Sequence, residues 1–302
     1  MGRGLMSSDL TESTPPSVAR KCQRRLPVPW GAIVAFAALV ALSCGGHGGD
    51  ELILGATTSV QDPGLLDEIV LGFEDATDYD VKPVIGGSGQ ILEMARQGEF
   101  DVIMTHSPAD EDKFIADGEG LDKRTVMRNF FLIAGPDDDP AGVEDAATIG
   151  EAFERISSGG YPFISRGDNS GTNHRELSIW DDLGIDPQSR PWYQESSTGQ
   201  GQNLLVAAEK NAYTLVDSST FTVFKERVDL RALITDKEKP NVYSVIRVSP
   251  DKHDVNAAGA IAFADFMTSQ AGQCLIAGFG VEEYGESLFE PAAGCRAANA
   301  GG

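Results

Sequence analysis

The chain has 302 residues, 41% hydrophobic and 8% aromatic, which is enough to close a packed core and excludes a chain disordered throughout. Its 24 basic and 46 acidic residues give a formal charge of −22, a field that disfavours nucleic acid as a partner. The histidines His47, His106, His174 and His253 are scattered and the thiols are not clustered, so the sequence offers no set for direct metal ligation.

Arg20, Lys21, Arg24 and Arg25 precede an apolar run from Trp30 to Leu42, the layout of a secretion signal. That run falls short of the roughly 20 apolar residues a membrane-spanning helix needs. Val40-Ala41-Leu42-Ser43-Cys44, followed by Gly45-Gly46-His47-Gly48-Gly49, resembles a bacterial lipoprotein processing site with a flexible tether. The resemblance implies a signal over 1–43, a lipid on Cys44, a tether over 44–50 and anchoring outside the cytoplasm; plain secretion is the alternative. With Cys22 in the signal and Cys44 lipidated, Cys274 and Cys295 remain as a pair. In an oxidising compartment a disulfide is expected, the alternative being two buried free thiols.

After the tether, Glu51-Leu52-Ile53-Leu54-Gly55 reads as a buried strand. Asp62-Pro63-Gly64 is expected to open and cap a helix with Leu65, Leu66, Ile69, Val70 and Phe73 on one face. Val81 to Ile85 is a strand, Gly86-Gly87-Ser88-Gly89 a turn, Gln90 to Gln97 a helix and Phe100 to Thr105 another strand. Strands alternating with helices predict a parallel α/β sheet. Val126 to Ala134 is β-like and ends at a polar turn, which suggests a crossing into a second lobe near residue 131. That lobe restarts the rhythm: a helix at 145–157, a strand at 161–165, a helix carrying Leu177, Trp180 and Leu183, and a strand at 212–216. A strand over 242–248 and a helix over 255–268 follow, with Ala260, Ile261, Ala264 and Phe266 expected to pack back on the first lobe. The expected organisation is lobe 1 over 51–130 and 246–302, lobe 2 over 131–245, and a cleft between them at strand carboxyl ends.

Three polar loops follow predicted strands. Thr57, Thr58 and Ser59 form the first, and Ser88 sits in the second, where glycines let backbone approach a ligand closely. The third runs from Ser165 to Thr172 and brings Arg166, Ser170 and Thr172. Hydroxyls and amides at helix starts, with one Arg, are suited to an anion. Each loop also has a plainer reading, as helix-capping hydroxyls and a surface Arg166–Asp168 pair.

Leu54-Gly55-Ala56-Thr57-Thr58-Ser59-Val60-Gln61-Asp62, Ser165 to Thr172, Ala208-Glu209-Lys210 and Ala212 to Asp217 together resemble the tungstate-binding TupA family across nearly all of the exported part. Two positions depart from that family: Ala56 stands where it has a third threonine, and Val216-Asp217-Ser218-Ser219-Thr220 stands where it has Thr-Asp-Arg-Gly-Thr. The resemblance implies an α/β, two-lobed periplasmic-binding-protein-like (type II) fold with two crossover strands. It also implies an ABC-importer binding protein that takes tungstate and meets a membrane permease. The implied oxyanion contacts are Thr57, Thr58, Ser59, Ser88, Arg166, Ser170 and Thr172. Molybdate, phosphate, sulfate and an oxyanion sensor on the same scaffold are the alternatives. Tungstate and molybdate carry no proton at neutral pH and need donors only; phosphate keeps one, and Asp62, Asp168 or Asp217 could accept it.

No enzyme is expected, and no cofactor; a monomer is. Gly86-Gly87-Ser88-Gly89-Gln90 misses the nucleophile-elbow pattern at its fifth position, and Gly199-Gln200-Gly201-Gln202-Asn203 lacks the third glycine of a dinucleotide fingerprint. His106 and His174 fall near the predicted cleft and are read as packed or solvated side chains.

Overall fold

The computed structural model describes residues 50–295. The expected signal, most of the tether and Cys44 lie outside the described residues. Among the described residues no helix is long and apolar enough to cross a membrane.

The chain opens with β1 (Glu51–Thr57), α1 (Thr58–Gln61), α2 (Leu65–Ala76), β2 (Asp80–Gly86), α3 (Ser88–Arg96), β3 (Val102–Thr105), α4 (Pro108–Ala116) and the long β4 (Gly120–Gly135). It continues with α5 (Ile149–Gly159), β5 (Phe163–Ser165), α6 (Gly171–Asp182), β6 (Tyr193–Glu195), α7 (Gln200–Glu209), β7 (Thr214–Asp217) and α8 (Ser218–Phe224). The second long strand is β8 (Arg231–Val248), followed by α9 (Ala257–Thr268), α10 (Gln270–Gly278), α11 (Val281–Tyr284) and β9 (Glu290–Pro291).

The main sheet runs β2-β1-β3-β8-β4-β7, with β9 paired to β4, while β5 and β6 form a separate parallel pair. It is mixed, which corrects the expectation of a parallel sheet. β1 pairs parallel with β2 and β3, but β8 runs antiparallel to β3 and β4, and β7 antiparallel to β4. The reversal comes from β4 and β8, which extend past the expected 126–134 and 242–248. Their extra residues are largely polar and pair within the β4–β8 ladder, those of β4 with 244–248 and those of β8 with 129–135. The ladder between them shifts where Asn129 faces Asn241 but Phe131 faces Asp236, so residues 237–240 bulge from β8. Pro240, which has no N–H to give the ladder, lies in that bulge.

Packing divides at this bulge. On one side Leu52, Leu54, Met104 and Val245 meet Phe73 of α2 and Phe263 of α9. Ile103 and Ile246 point to the opposite face and meet Ile91 of α3 and Phe114 of α4, as strand alternation requires. On the other side Phe131 and Ile133 pack with Phe153 and Trp180, while Leu132 and Ala134 turn to Val216 and Leu204. Met127 and Tyr243 belong to the first core and Phe131 and Ile234 to the second, so both strands change core at the bulge.

Two local expectations change. Along α9 the packed positions are Ala260, Phe263, Ala264 and Met267, a spacing of three and four, with Phe266 partly buried beside them. That spacing turns Ile261 outward, 42% exposed, rather than onto the core. Asp62 does not cap α2, whose N-terminus is preceded by Gly64 in the left-handed region at φ 96°. It ends α1, and its Oδ2 accepts from the Gly201 amide, in the first turn of α7, at 2.8 Å.

Candidate functional site

Every hydroxyl loop lies where a strand stops and a helix starts. Thr57 closes β1 and Thr58 and Ser59 open α1; Ser88 is the first residue of α3; Ser170 precedes α6 and Thr172 is in its first turn. Ser88 is therefore helical rather than in the turn before it. The Ser170 Oγ accepts from the Asn173 amide at 3.3 Å, a cap that leaves its proton free to donate. Thr57, Ser59, Ser88, Arg166, Ser170 and Thr172 are buried, and Thr58 is partly so.

Arg166 is 2% exposed. Its Nη2 donates to Asp168 Oδ2 at 2.5 Å and to Thr58 Oγ1 at 3.2 Å, its Nη1 to Gln200 Oε1 at 3.0 Å, and its Nε to the Thr198 carbonyl at 3.3 Å. The Arg166–Asp168 pair expected of the plainer reading is present, with Arg166 buried and Asp168 partly so, and Arg166 also reaches across to the Thr58 loop. Close backbone approach joins the other loops. The Gly89 amide donates to the Asn169 carbonyl at 3.1 Å, and a Cβ at Gly87 would stand 3.2 Å from Ser170. A Cβ at Gly171 would meet His106 at 2.6 to 2.7 Å. The N-termini of α1 and α7 meet the guanidinium through Thr58 and Gln200, and those of α3 and α6 meet each other through Gly89, Asn169 and Ser170.

His106 is packed, one of the two readings the sequence left for it, and its partners join it to two of the loops. It is 3% exposed and stands behind the Thr57–Ser59 loop: Ser59 Oγ lies 3.1 Å from Nε2 and Thr57 Oγ1 3.1 Å from Ser59 Oγ. Its amide donates to Ser88 Oγ at 3.3 Å, and its Nδ1 meets Asn241 Oδ1 at 2.9 Å. Asn241 bonds Asn129 across the bulge at 2.8 Å, and Asn129 reaches Asp217 at 2.9 Å. No local pattern marks these two asparagines, which meet only through the β4–β8 register. Burial pushes His106 down to about 4, opposed by its weaker hydrogen bond to Asn241 Oδ1. A cleft of about 550 Å³ opens beside the cluster, sharing His106 and Gly171 with it.

Thr172 differs from its neighbours in having a buried Oγ1 without a partner among the described residues. The three carboxylates nearby are all engaged. Asp168 holds Arg166 and the Ser170 amide, and Asp62 holds the Gly201 amide. Asp217 accepts from Asn129, Ser219 and both the amide and hydroxyl of Thr220. Burial raises Asp62 above the usual carboxylate range, with the Gly201 N–H opposing.

The profile described as PBP superfamily domain matches residues 43–271. The tungstate-binding protein TupA of Peptoclostridium acidaminophilum is 40% identical over 245 residues, covering 80% of this chain and 85% of that protein. This chain belongs to the TupA family. The tungstate ABC transporter structure from Geobacter sulfurreducens aligns with a TM-score of 0.68 at 38% identity, covering 75% of this chain and 97% of that one. TupA from Desulfovibrio alaskensis G20 gives 0.67 at 34% identity, with 81% and 100% covered. Against that family the departure at Ala56 removes no hydroxyl from the cluster, since this fully buried side chain packs in the core. At the second departure Asp217 caps α8 through the Thr220 amide, and Ser218 Oγ accepts from the Phe130 amide.

Proposed function

We propose that this protein is the tungstate-binding component of an ABC importer, acting outside the cytoplasm. The observation that carries the reading is the buried Arg166 at the starts of α1 and α7, together with the buried, unpartnered Thr172 hydroxyl at the start of α6. Thr57, Thr58, Ser59, Ser88, Arg166, Ser170 and Thr172 are the proposed contacts, six hydroxyls and one guanidinium with no carboxylate among them. The relatives named for tungstate support the choice of ligand. Phosphate would need an acceptor for its proton; Asp168 and Asp217 already have both oxygens engaged, and Asp62 turns Oδ2 to the Gly201 amide. Residues 51–130 with 246–302 would form one lobe and 131–245 the other, moving about β4 and β8 and handing the anion to a permease. Cys44 would carry the lipid. The ligand leaves unchanged, and no acid–base pair is assigned to transform it.

Calorimetric titration of the mature protein with tungstate, molybdate, sulfate and phosphate tests this. Nanomolar tungstate binding, about 12 kcal/mol, is expected. Arg166→Ala should weaken it by roughly 10- to 100-fold, as loss of a charged donor does. Absence of heat and of thermal stabilisation with all four anions would refute the reading.

A further inference from the structure

The buried polar chain behind the site has a direction. Asp217 sits at one end with four donors aimed at it, and a carboxylate accepts only. Asn129 must therefore turn its amide nitrogen to Asp217 and its oxygen to Asn241. Asn241 then gives Nδ2 to Asn129 and Tyr243, and presents its oxygen to His106 Nδ1. Turning over either amide would set oxygen against oxygen at 2.8 or 2.9 Å. So Nδ1 carries the proton, and Nε2 of a neutral ring is a bare acceptor. Ser59 must give its proton to Nε2, and Thr57 gives its own to Ser59.

The consequence falls on the anion site. Thr58, Ser88 and Ser170 each accept an N–H and keep a proton to donate, and Thr172 is unengaged. Thr57 and Ser59 have their protons committed inward and would turn lone pairs to an oxyanion that itself only accepts. Resting on the oxyanion reading above, we propose that His106 is a positioning residue that takes one proton from solvent as the anion binds. Both ring nitrogens then donate, Nδ1 to Asn241 and Nε2 to Ser59, and the Ser59 and Thr57 hydroxyls turn to the anion. A dianion thus enters the site with one compensating positive charge.

The surroundings fit such a group. Without the anion, burial holds the imidazole neutral, and Arg166 and His174 oppose its charging while Asp168 favours it. The Tyr243 ring stacks on it with centroids 4.8 Å apart, its hydroxyl beside Ser59, and Asp110, Arg175 and Lys239 share the adjoining cleft wall. Two negative charges arriving at Ser59 push the other way and raise the affinity of Nε2 for a proton.

The test is calorimetry of the mature protein with sodium tungstate at pH 7, in buffers of different ionisation heat. The buffer dependence should give about one proton taken up per anion, and tungstate affinity should fall by up to about tenfold per pH unit toward pH 9. Nitrogen-15 spectra of histidine-labelled protein should move the His106 Nε2 signal from the bare to the protonated range on adding tungstate, with His106→Gln assigning it. In that variant a glutamine amide donates to Ser59 without titrating, so the proton count should drop to about zero. Tungstate binding with no proton uptake and an unchanged Nε2 signal overturns the proposal alone, as does a proton count that survives in H106Q. No tungstate binding at all overturns it together with the functional reading. Should H106Q fail to fold, the wild-type proton count and spectra decide.

Discussion

A hydroxyl buried without a partner costs a protein stability, and Thr172 has one. Thr172→Val keeps its shape and removes the oxygen. The variant should raise the unfolding free energy of the anion-free protein by about 1 kcal/mol, while tungstate affinity falls roughly tenfold. Urea unfolding and titration read the two halves of that opposition; a core threonine with no ligand role would change only the first. His106 makes a second residue-level prediction. Its folded value of about 4 lies below its usual one, so its contribution is present above about pH 6.5 and is lost as pH falls toward 4. The loss is on the order of 3 kcal/mol, and urea unfolding at the two pH values should show it shrinking in His106→Gln. The hydroxyl loops and Arg166 were legible in the sequence because each sits in a short strand-to-helix turn. His106 was not, because a lone histidine carries no spacing and its partners lie far along the chain at 59 and 241.

Among the elements, α3 and the loop before α6 approach more closely than any side chain allows. A Cβ at Gly89 would lie 2.5 Å from the Asn169 carbonyl oxygen and 2.4 Å from its Nδ2. Gly89→Ala should therefore hold these loops apart and weaken tungstate binding by tenfold or more, with a smaller effect on folding. Helix propensity alone would favour the alanine, so a variant that binds normally and is more stable would contradict the observed contact. Strand and helix positions in the first third came through because apolar periodicity is local. The outer parts of β4 and β8 did not: Asp122-Lys123-Arg124 and Asp236-Lys237-Glu238-Lys239-Pro240 have the composition of loops. They are strands or a strand bulge only because each long strand finds the other, a non-local pairing that no window of sequence contains.

At the scale of the whole molecule, Cys274 and Cys295 are joined, with Cα atoms 4.8 Å apart and a sequence separation of 21. The bond ties α10 to the segment after β9, which pairs with β4 at Met127 and Arg128. Replacing both cysteines with serine should cost about 3 kcal/mol by the loop-closure argument and lower Tm by roughly 6–12 °C. Calorimetry with and without reductant checks this, since reductant should lower the wild-type Tm and leave the double variant unchanged.

The sequence by itself determined the α/β class, the donor-rich loops, Arg166 as the cation among them and the cysteine pair. All of these rest on periodicity, turn chemistry or residue identity within a short span. Tertiary structure decided the mixed sheet, the transfer of Asp62 from its own helix to α7, and the meeting of the helix starts of α1 with α7 and of α3 with α6. It also decided the direction of the Asp217–Asn129–Asn241–His106–Ser59 chain, because hydrogen-bond polarity is fixed by which atoms meet, and these meet only once β4 and β8 have paired.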